Sequence, residues 1–233
     1  MFLIIFIIIA IFFAYPLLTK KKKRYLIMRH SERVDDVNRE WSLTAERPYD
    51  TPITDNMKFF NSNIKKYNMS FFEGAKIYCS PFKRCIQTSQ LISKLFNPQL
   101  KICLEPALIE VSSMEYYLQT FTESPLSFSQ SEEKKSDKKK DNYFSNEAIF
   151  KRHKDVNFDR NYKSFMTVYD IGLFYKNKPS FEDLEKKMKK FLHTKDSCIC
   201  VAHREFINII GPNVPDNYCG SAIVDENLRI QEI

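Results

Sequence analysis

Residues 25–34 read Tyr25-Leu26-Ile27-Met28-Arg29-His30-Ser31-Glu32-Arg33-Val34, in which an apolar run that suits a buried strand leads straight into a basic turn carrying an imidazole. In an open α/β sheet, ligands bind in the crevice outside the carboxyl ends of the strands, so a strand here would deliver Arg29, His30 and Arg33 to a site. Three groups that are cationic, or can become so, repel one another unless something anionic lies between them. Guanidinium forks match phosphoryl oxygens bidentately, which makes a phosphoryl group the natural guest.

Working outward, Asp35–Asp50 is polar and irregular, with Trp41 as an apolar plug. Thr54 is the expected N-cap of a helix that sets Met57, Phe60, Ile64 and Tyr67 on one face. A strand over Ala75–Cys79 runs into Ser80-Pro81, a favoured helix start with Ser at the N-cap and Pro at the first helical position. Arg84 then falls in the first turn, where backbone N–H groups already favour an anion. That helix continues through Leu91, Ile92 and Leu95 and stops at Asn97-Pro98. Leu100–Leu104 is a third strand, delivering the run Glu105 to Glu110 to the same edge. Ser180–Leu192 reads as a helix with Ser180 and Asp183 as a capping pair and a stripe of Phe181, Leu184, Met188 and Phe191. Ser197–Ala202 is a strand ending on His203, and Tyr218–Val224 and Leu228–Ile233 close the chain as two short strands. Asn146–Phe174 has no readable period beyond helical pieces that would cover the site. Strands alternating with helices imply an α/β, three-layer sandwich with a mostly parallel central sheet and helices on both faces.

The 233 residues suit one well-filled core. Of the formal charge of +7, Lys20–Lys23 with Arg24 carry five, leaving +2 for the rest. The aromatics lie in apolar runs and are not interleaved with Arg and Lys as a base-stacking groove requires, so no nucleic-acid partner is expected. Five of the six cysteines, Cys79, Cys103, Cys198, Cys200 and Cys219, fall in strand-like runs where the thiol acts as a small buried hydrophobe, and they read as reduced. Residues 1–18 are uncharged and broken only by Pro16, at the lower edge of the length that crosses a bilayer. The basic cluster follows that run, which keeps the carboxyl side cytoplasmic. The expected layout is a single-pass anchor over 1–18, a basic juxtamembrane linker over 19–24 and one domain over 25–233, with a disordered insertion at 122–142 that has almost nothing to bury. A cleaved signal with a secreted or lumenal product is the alternative. An anchor so close to the first strand would hold the domain against the membrane and restrict which substrates reach the site.

Four strand ends thus send Arg29, His30, Arg33, Arg84, Glu110 and His203 toward one rim. Displacement at phosphorus needs a nucleophile, cations for the equatorial oxygens and an acid for the leaving oxygen, and each role has a candidate. Arg29-His30-Ser31-Glu32-Arg33, Ser80-Pro81 through Arg84 with Gln87-Thr88, Glu110 after a strand and Ala202-His203 resemble, in order, the motifs of the histidine phosphatase superfamily, the phosphoglycerate mutase-like proteins. Within it, residues 29–35, 105–110 and Tyr218-Cys219 are most similar to the branch of the ubiquitin-associated and SH3-domain protein phosphatases. The resemblance implies that His30 attacks phosphorus and becomes a phosphohistidine. It further implies that Arg29, Arg33, Arg84 and His203 hold the phosphoryl oxygens, and that Glu110 protonates the leaving group and then activates water. No cofactor and no metal are implied, because the arginines do the neutralising. The substrate would be a phosphorylated protein, phosphotyrosine among the candidates, or a small phosphate ester. The other partners are the membrane, through residues 1–24, and a second copy of the chain as a candidate homodimer. A mutase-type phosphotransferase and a non-catalytic membrane-anchored adaptor for phosphoproteins are the competing readings. Glu110 must be protonated when it acts, which predicts an acidic to neutral optimum or a raised pKa. Ser31 stands where relatives carry Gly, Arg204 where many carry a small residue, and Asn56 where Gly is frequent.

Overall fold

The computed structural model describes residues 22–118 and 143–231. The apolar run 1–18, most of the basic linker and the charged stretch 122–142 lie outside the described residues. Among the described residues no helix is long and apolar enough to cross a membrane.

In chain order the elements are β1 (Tyr25–Arg29), α1 (Val34–Val37), α2 (Trp41–Thr44), α3 (Lys58–Ile64), β2 (Lys76–Cys79), α4 (Lys83–Ser93), β3 (Ile102–Leu104), α5 (Val111–Leu118), α6 (Asn146–Arg152), α7 (Val168–Lys176), α8 (Phe181–His193), β4 (Cys198–Ala202), α9 (Arg204–Asn208) and β5 (Ser221–Val224). The five strands form one sheet in the order β3-β2-β4-β1-β5, parallel except for β5. Every residue of β1, β4 and β5 is buried. Successive strand side chains point to opposite faces, so both faces of the sheet are covered, which is the three-layer α/β arrangement.

The register decides what the rim contains. Arg29 pairs with Ala202, Cys79 with Val201 and Leu104 with Cys79. The ladder runs one residue further: His30 N–H donates to Ala202 O, Ser80 N–H to Val201 O and Glu105 N–H to Cys79 O. His30, His203, Ser80 and Glu105 therefore leave the sheet side by side, at the carboxyl ends of the strands.

Several local expectations are corrected. α3 begins at Lys58 and not beside Thr54, because the Thr54 hydroxyl donates to Glu32 Oε2 at 3.0 Å. α4 begins at Lys83, with no cap from its own N-cap side chain. Ser80 is drawn to His203 instead, and the first helical N–H, that of Lys83, donates to Asp50 Oδ1 at 2.7 Å. α4 also ends at Ser93, short of Leu95, which is half exposed. Asp35–Asp50 is not wholly irregular but holds α1 and α2, and Trp41 is only half-buried. The capping box of α8 forms as expected, and Leu184, Met188 and Phe191 are buried, whereas Phe181 at the first helical position faces solvent. The strand expected from Tyr218 begins only at Ser221, since Cys219 takes a left-handed turn at φ 56°. Beyond it Ile230 makes a single bridge to Val224 in place of a strand, and residues 232–233 lie outside the described residues. All six cysteines are buried free thiols.

Candidate active site

His30 leaves β1 3 % exposed, and its Nδ1 lies 2.8 Å from Ser31 O. A carbonyl only accepts, so Nδ1 carries the proton and Nε2 is left with a lone pair. Burial first, then Arg84 and His203, hold the imidazole well below its ordinary value. Ser31 is fully buried, with its N–H donating to Thr88 Oγ1 on α4 at 2.9 Å.

Arg29 is buried beside it. Its Nη1 donates to Asp216 O at 2.6 Å, and its guanidinium lies over the Tyr218 ring at 4.4 Å. Burial and then Arg204 bring Arg29 down to about 10, so it remains cationic at neutral pH. The Tyr218 ring also packs on His30, with centroids 6.0 Å apart. Gly220 makes this loop feasible. Its carbonyl accepts from Arg29 N–H at 2.9 Å, and an added Cβ would fall 1.8 Å from Pro215 O.

Arg84 is the hub. It is 2 % exposed, and its Nη2 donates to Glu110 Oε1 at 2.6 Å and lies 3.3 Å from Ser113 Oγ and 3.4 Å from His203 Nδ1. Its Nη1 donates to Tyr49 O. Glu110 Oε1 also accepts from Ser113 Oγ at 2.7 Å and lies 3.3 Å from His203 Nδ1. His203 is fully buried, with Nε2 2.9 Å from Ser80 Oγ, and burial followed by Arg84, Arg29 and Arg33 keeps it well below its ordinary value.

Of the two alternatives expected for Glu110, an acidic to neutral optimum or a raised pKa, the second is not met in this arrangement. Burial pushes its carboxyl up, but the Arg84 guanidinium and the Ser113 hydroxyl outweigh that and leave it below the usual carboxylate value. As arranged here, Glu110 is a carboxylate paired with Arg84.

Arg29, His30, Arg84, Glu110 and His203 come together. Arg33 lies at the edge: its guanidinium forks onto Asp35, with a second carboxylate, Asp36, at 3.7 Å. It lines a cavity of about 350 Å³ with Arg84, Glu110, Ser113 and the stacked rings of Tyr49 and Tyr116, 4.5 Å apart. The three departures from the family pattern also find places. Asn56 donates to Glu32 Oε2 at 3.1 Å, Arg204 is exposed and 3.6 Å from Asp216, and Ser31 is enclosed. Sequence reasoning missed Ser113, Asp50, the contacts of Tyr218 with Arg29 and His30 and the role of Ser80. Ser113, three residues after Glu110, carries a local sequence signal, because that spacing lets a helix-start hydroxyl reach back.

The family model of the histidine phosphatase superfamily (branch 1) matches residues 26–164. Among solved structures, the chain is similar to the ecdysone phosphate phosphatase of Bombix mori, determined in complex with tungstate, at TM-score 0.51 and 17 % identity over 87 % of this chain and 88 % of that one. It also matches phosphoglycerate mutase from Bacillus anthracis str. Sterne at TM-score 0.45 and 11 % identity, over 91 % and 92 % of the two chains. No curated protein sequence matches. At such identities the likeness of structures speaks for fold alone, but the family match spans more than half the chain, and this protein belongs to the histidine phosphatase superfamily.

Proposed function

We propose that the chain is a phosphomonoester hydrolase working through a phosphohistidine on His30. The observation that carries this reading is the bond from His30 Nδ1–H to Ser31 O, which frees Nε2 as a nucleophile beside Arg29, Arg84 and His203. In the first step the Nε2 lone pair forms the N–P bond as the bond from phosphorus to the leaving oxygen breaks, and Glu110 gives its proton to that oxygen. In the second, Glu110 takes a proton from water, the oxygen of that water bonds to phosphorus, and the N–P electron pair returns to Nε2.

The pairing of Arg84 with Glu110 supplies the switch this cycle needs. A phosphoryl group that takes the Arg84 fork removes the cation from Glu110 and puts an anion beside it, and both changes raise the carboxyl pKa. The substrate class we favour is an aryl phosphate, phosphotyrosine on a protein included. The stacked Tyr49 and Tyr116 rings in the wall of the cavity over Arg84 and Glu110 support that choice. The likeness to the ubiquitin-associated and SH3-domain phosphatases rests on residues 29–35, 105–110 and 218–219 alone. Residues 1–18 with the basic cluster support a membrane anchor with the domain in the cytoplasm, against the alternative of a cleaved signal.

Hydrolysis of phenyl phosphate by the full chain, beside His30→Ala, tests the activity. The unaltered chain is expected to turn over and to trap an acid-labile phosphoryl label, and His30→Ala to lose at least about 10³-fold. Binding of phosphate esters with no turnover by the unaltered chain would instead leave the adaptor reading.

A further inference from the structure

Glu110 occupies the residue just before α5, the position from which a side chain ordinarily caps a helix. Its carboxylate is turned away from that task toward Arg84 and His203. The first helical N–H, that of Val111, donates instead to Glu205 Oε2 at 2.9 Å, ninety-four residues further along the chain. On the other side of Glu110, the carbonyl of Ile109 accepts from the Tyr175 hydroxyl at 2.6 Å, and Lys187 Nζ donates to that hydroxyl oxygen at 2.8 Å.

The backbone on each flank of Glu110 is thus gripped by a side chain from a distant element. Tyr175 comes from α7, Lys187 from α8 and Glu205 from α9. Lys187 is 7 % exposed, set among the rings of Phe174, Tyr175 and Phe206. Burial brings its ammonium down to about 7, because taking a charge out of water is costly. Here it completes the donor chain to Ile109 O. Glu205 lies two residues after His203, so the same contact ties the Glu110 loop to the strand end that carries His203.

We infer that Tyr175, Lys187 and Glu205 are positioning residues for Glu110: they clamp the peptides before and after it so that its carboxyl stays aimed at the leaving oxygen while Arg84 is exchanged for substrate. The inference rests on the proposed phosphohistidine chemistry. None of the three touches the reacting atoms, and their contribution is to the proton given to the leaving group.

The test compares phenyl phosphate, a poor leaving group that needs an acid, with dinitrophenyl phosphate, which does not. It reads kcat/KM of the full chain, which reports the steps up to phosphohistidine formation. Glu110→Gln sets the benchmark, with a loss of about 10²-fold or more on phenyl phosphate. Glu205→Ala and Tyr175→Phe are expected to lose on the order of 10-fold on phenyl phosphate and to stay within about 2-fold on dinitrophenyl phosphate, as partial losses of the same acid catalysis. Glu205→Gln keeps an acceptor for Val111 N–H and should restore the phenyl phosphate rate. Because Tyr175→Phe leaves Lys187 without its partner, it is repeated with Lys187→Met, and the dinitrophenyl rate reports folding in both backgrounds. Equal losses on the two substrates, or none on either, overturn the clamp. An unaltered chain that hydrolyses neither ester overturns the hydrolase, and the clamp with it.

Discussion

At the scale of single residues, the two buried imidazoles are kept neutral by their surroundings. Burial is the larger cause for both His30 and His203, and the nearby Arg84 guanidinium adds to it. His153, further along the chain, is brought down to about 4 by burial and by Arg152. An unfolded histidine titrates near 6.5, so below that value the unfolded chain binds protons that the folded one refuses. The stability these groups contribute is complete above about pH 6.5 and is lost as pH falls toward their folded values. Asp50 and Glu105, pushed up by burial, act in the opposite sense at lower pH. The urea midpoint should therefore fall between pH 7 and pH 5, and His203→Asn should soften that fall by roughly 1 kcal/mol or more. A midpoint unchanged over this window in the unaltered chain would show that the imidazoles are not held down. On the proposed mechanism, the same neutrality would keep His30 a nucleophile well into acid.

At the scale of elements, α4 matters most, because it carries Arg84 on one face and Thr88, which holds Ser31, on the next turn. Its start is secured from outside by Asp50, which accepts from Lys83 N–H and from the Tyr143 hydroxyl at 2.8 Å. Asp50→Ala removes the cap and strands both donors. It is expected to cost about 1–2 kcal/mol in urea unfolding, with Asp50→Asn costing much less because an amide oxygen still accepts. Turnover should fall in parallel, since Arg84 is aimed by this turn. An Asp50→Ala chain with unaltered stability would return the capping role to Ser80 and Pro81. The local signal there was sound as far as it went, but Ser80 had a second suitor in His203, and a contact across 123 residues is invisible in a window of ten.

At the scale of the whole molecule, the chain enters the sheet at the amino end of β1 and the site lies at the carboxyl end, a strand of five residues and therefore about 16 Å away. Lys23 donates to Lys195 O and Arg24 lies over the Phe71 ring at 3.9 Å, both at the entry end. An anchor formed by residues 1–18 would therefore meet the membrane on the side of the sheet away from His30. On that placement the site would face away from the membrane, and soluble substrates would reach it freely. Flotation of the full chain with vesicles containing phosphatidylserine should persist at about 1 M salt, where attraction by the basic cluster alone is screened. Turnover of soluble phenyl phosphate should be the same on vesicles and in detergent. Release of the chain by salt, or a mature protein that starts after residue 18, would sink the anchor.

The four parallel strands, the helices Lys83–Ser93 and Phe181–His193 between them and the gathering of His30, Arg84, Glu110 and His203 were legible in the sequence, whereas the short helices α1, α2 and α9 and the loss of a closing strand were not. Apolar runs, turn residues and strand ends are local features, and parallel topology brings the carboxyl ends of β1 to β4 to one rim. What only the tertiary structure decided is the state of that rim. Whether Glu110 is raised or lowered depends on a guanidinium twenty-six residues away, the tautomer of His30 depends on a backbone carbonyl, and the engagement of Arg33 depends on the turn that brings Asp35 under it. These are matters of distance and burial, and a charge's proton affinity is set by what surrounds it in space, which no local pattern of residues contains.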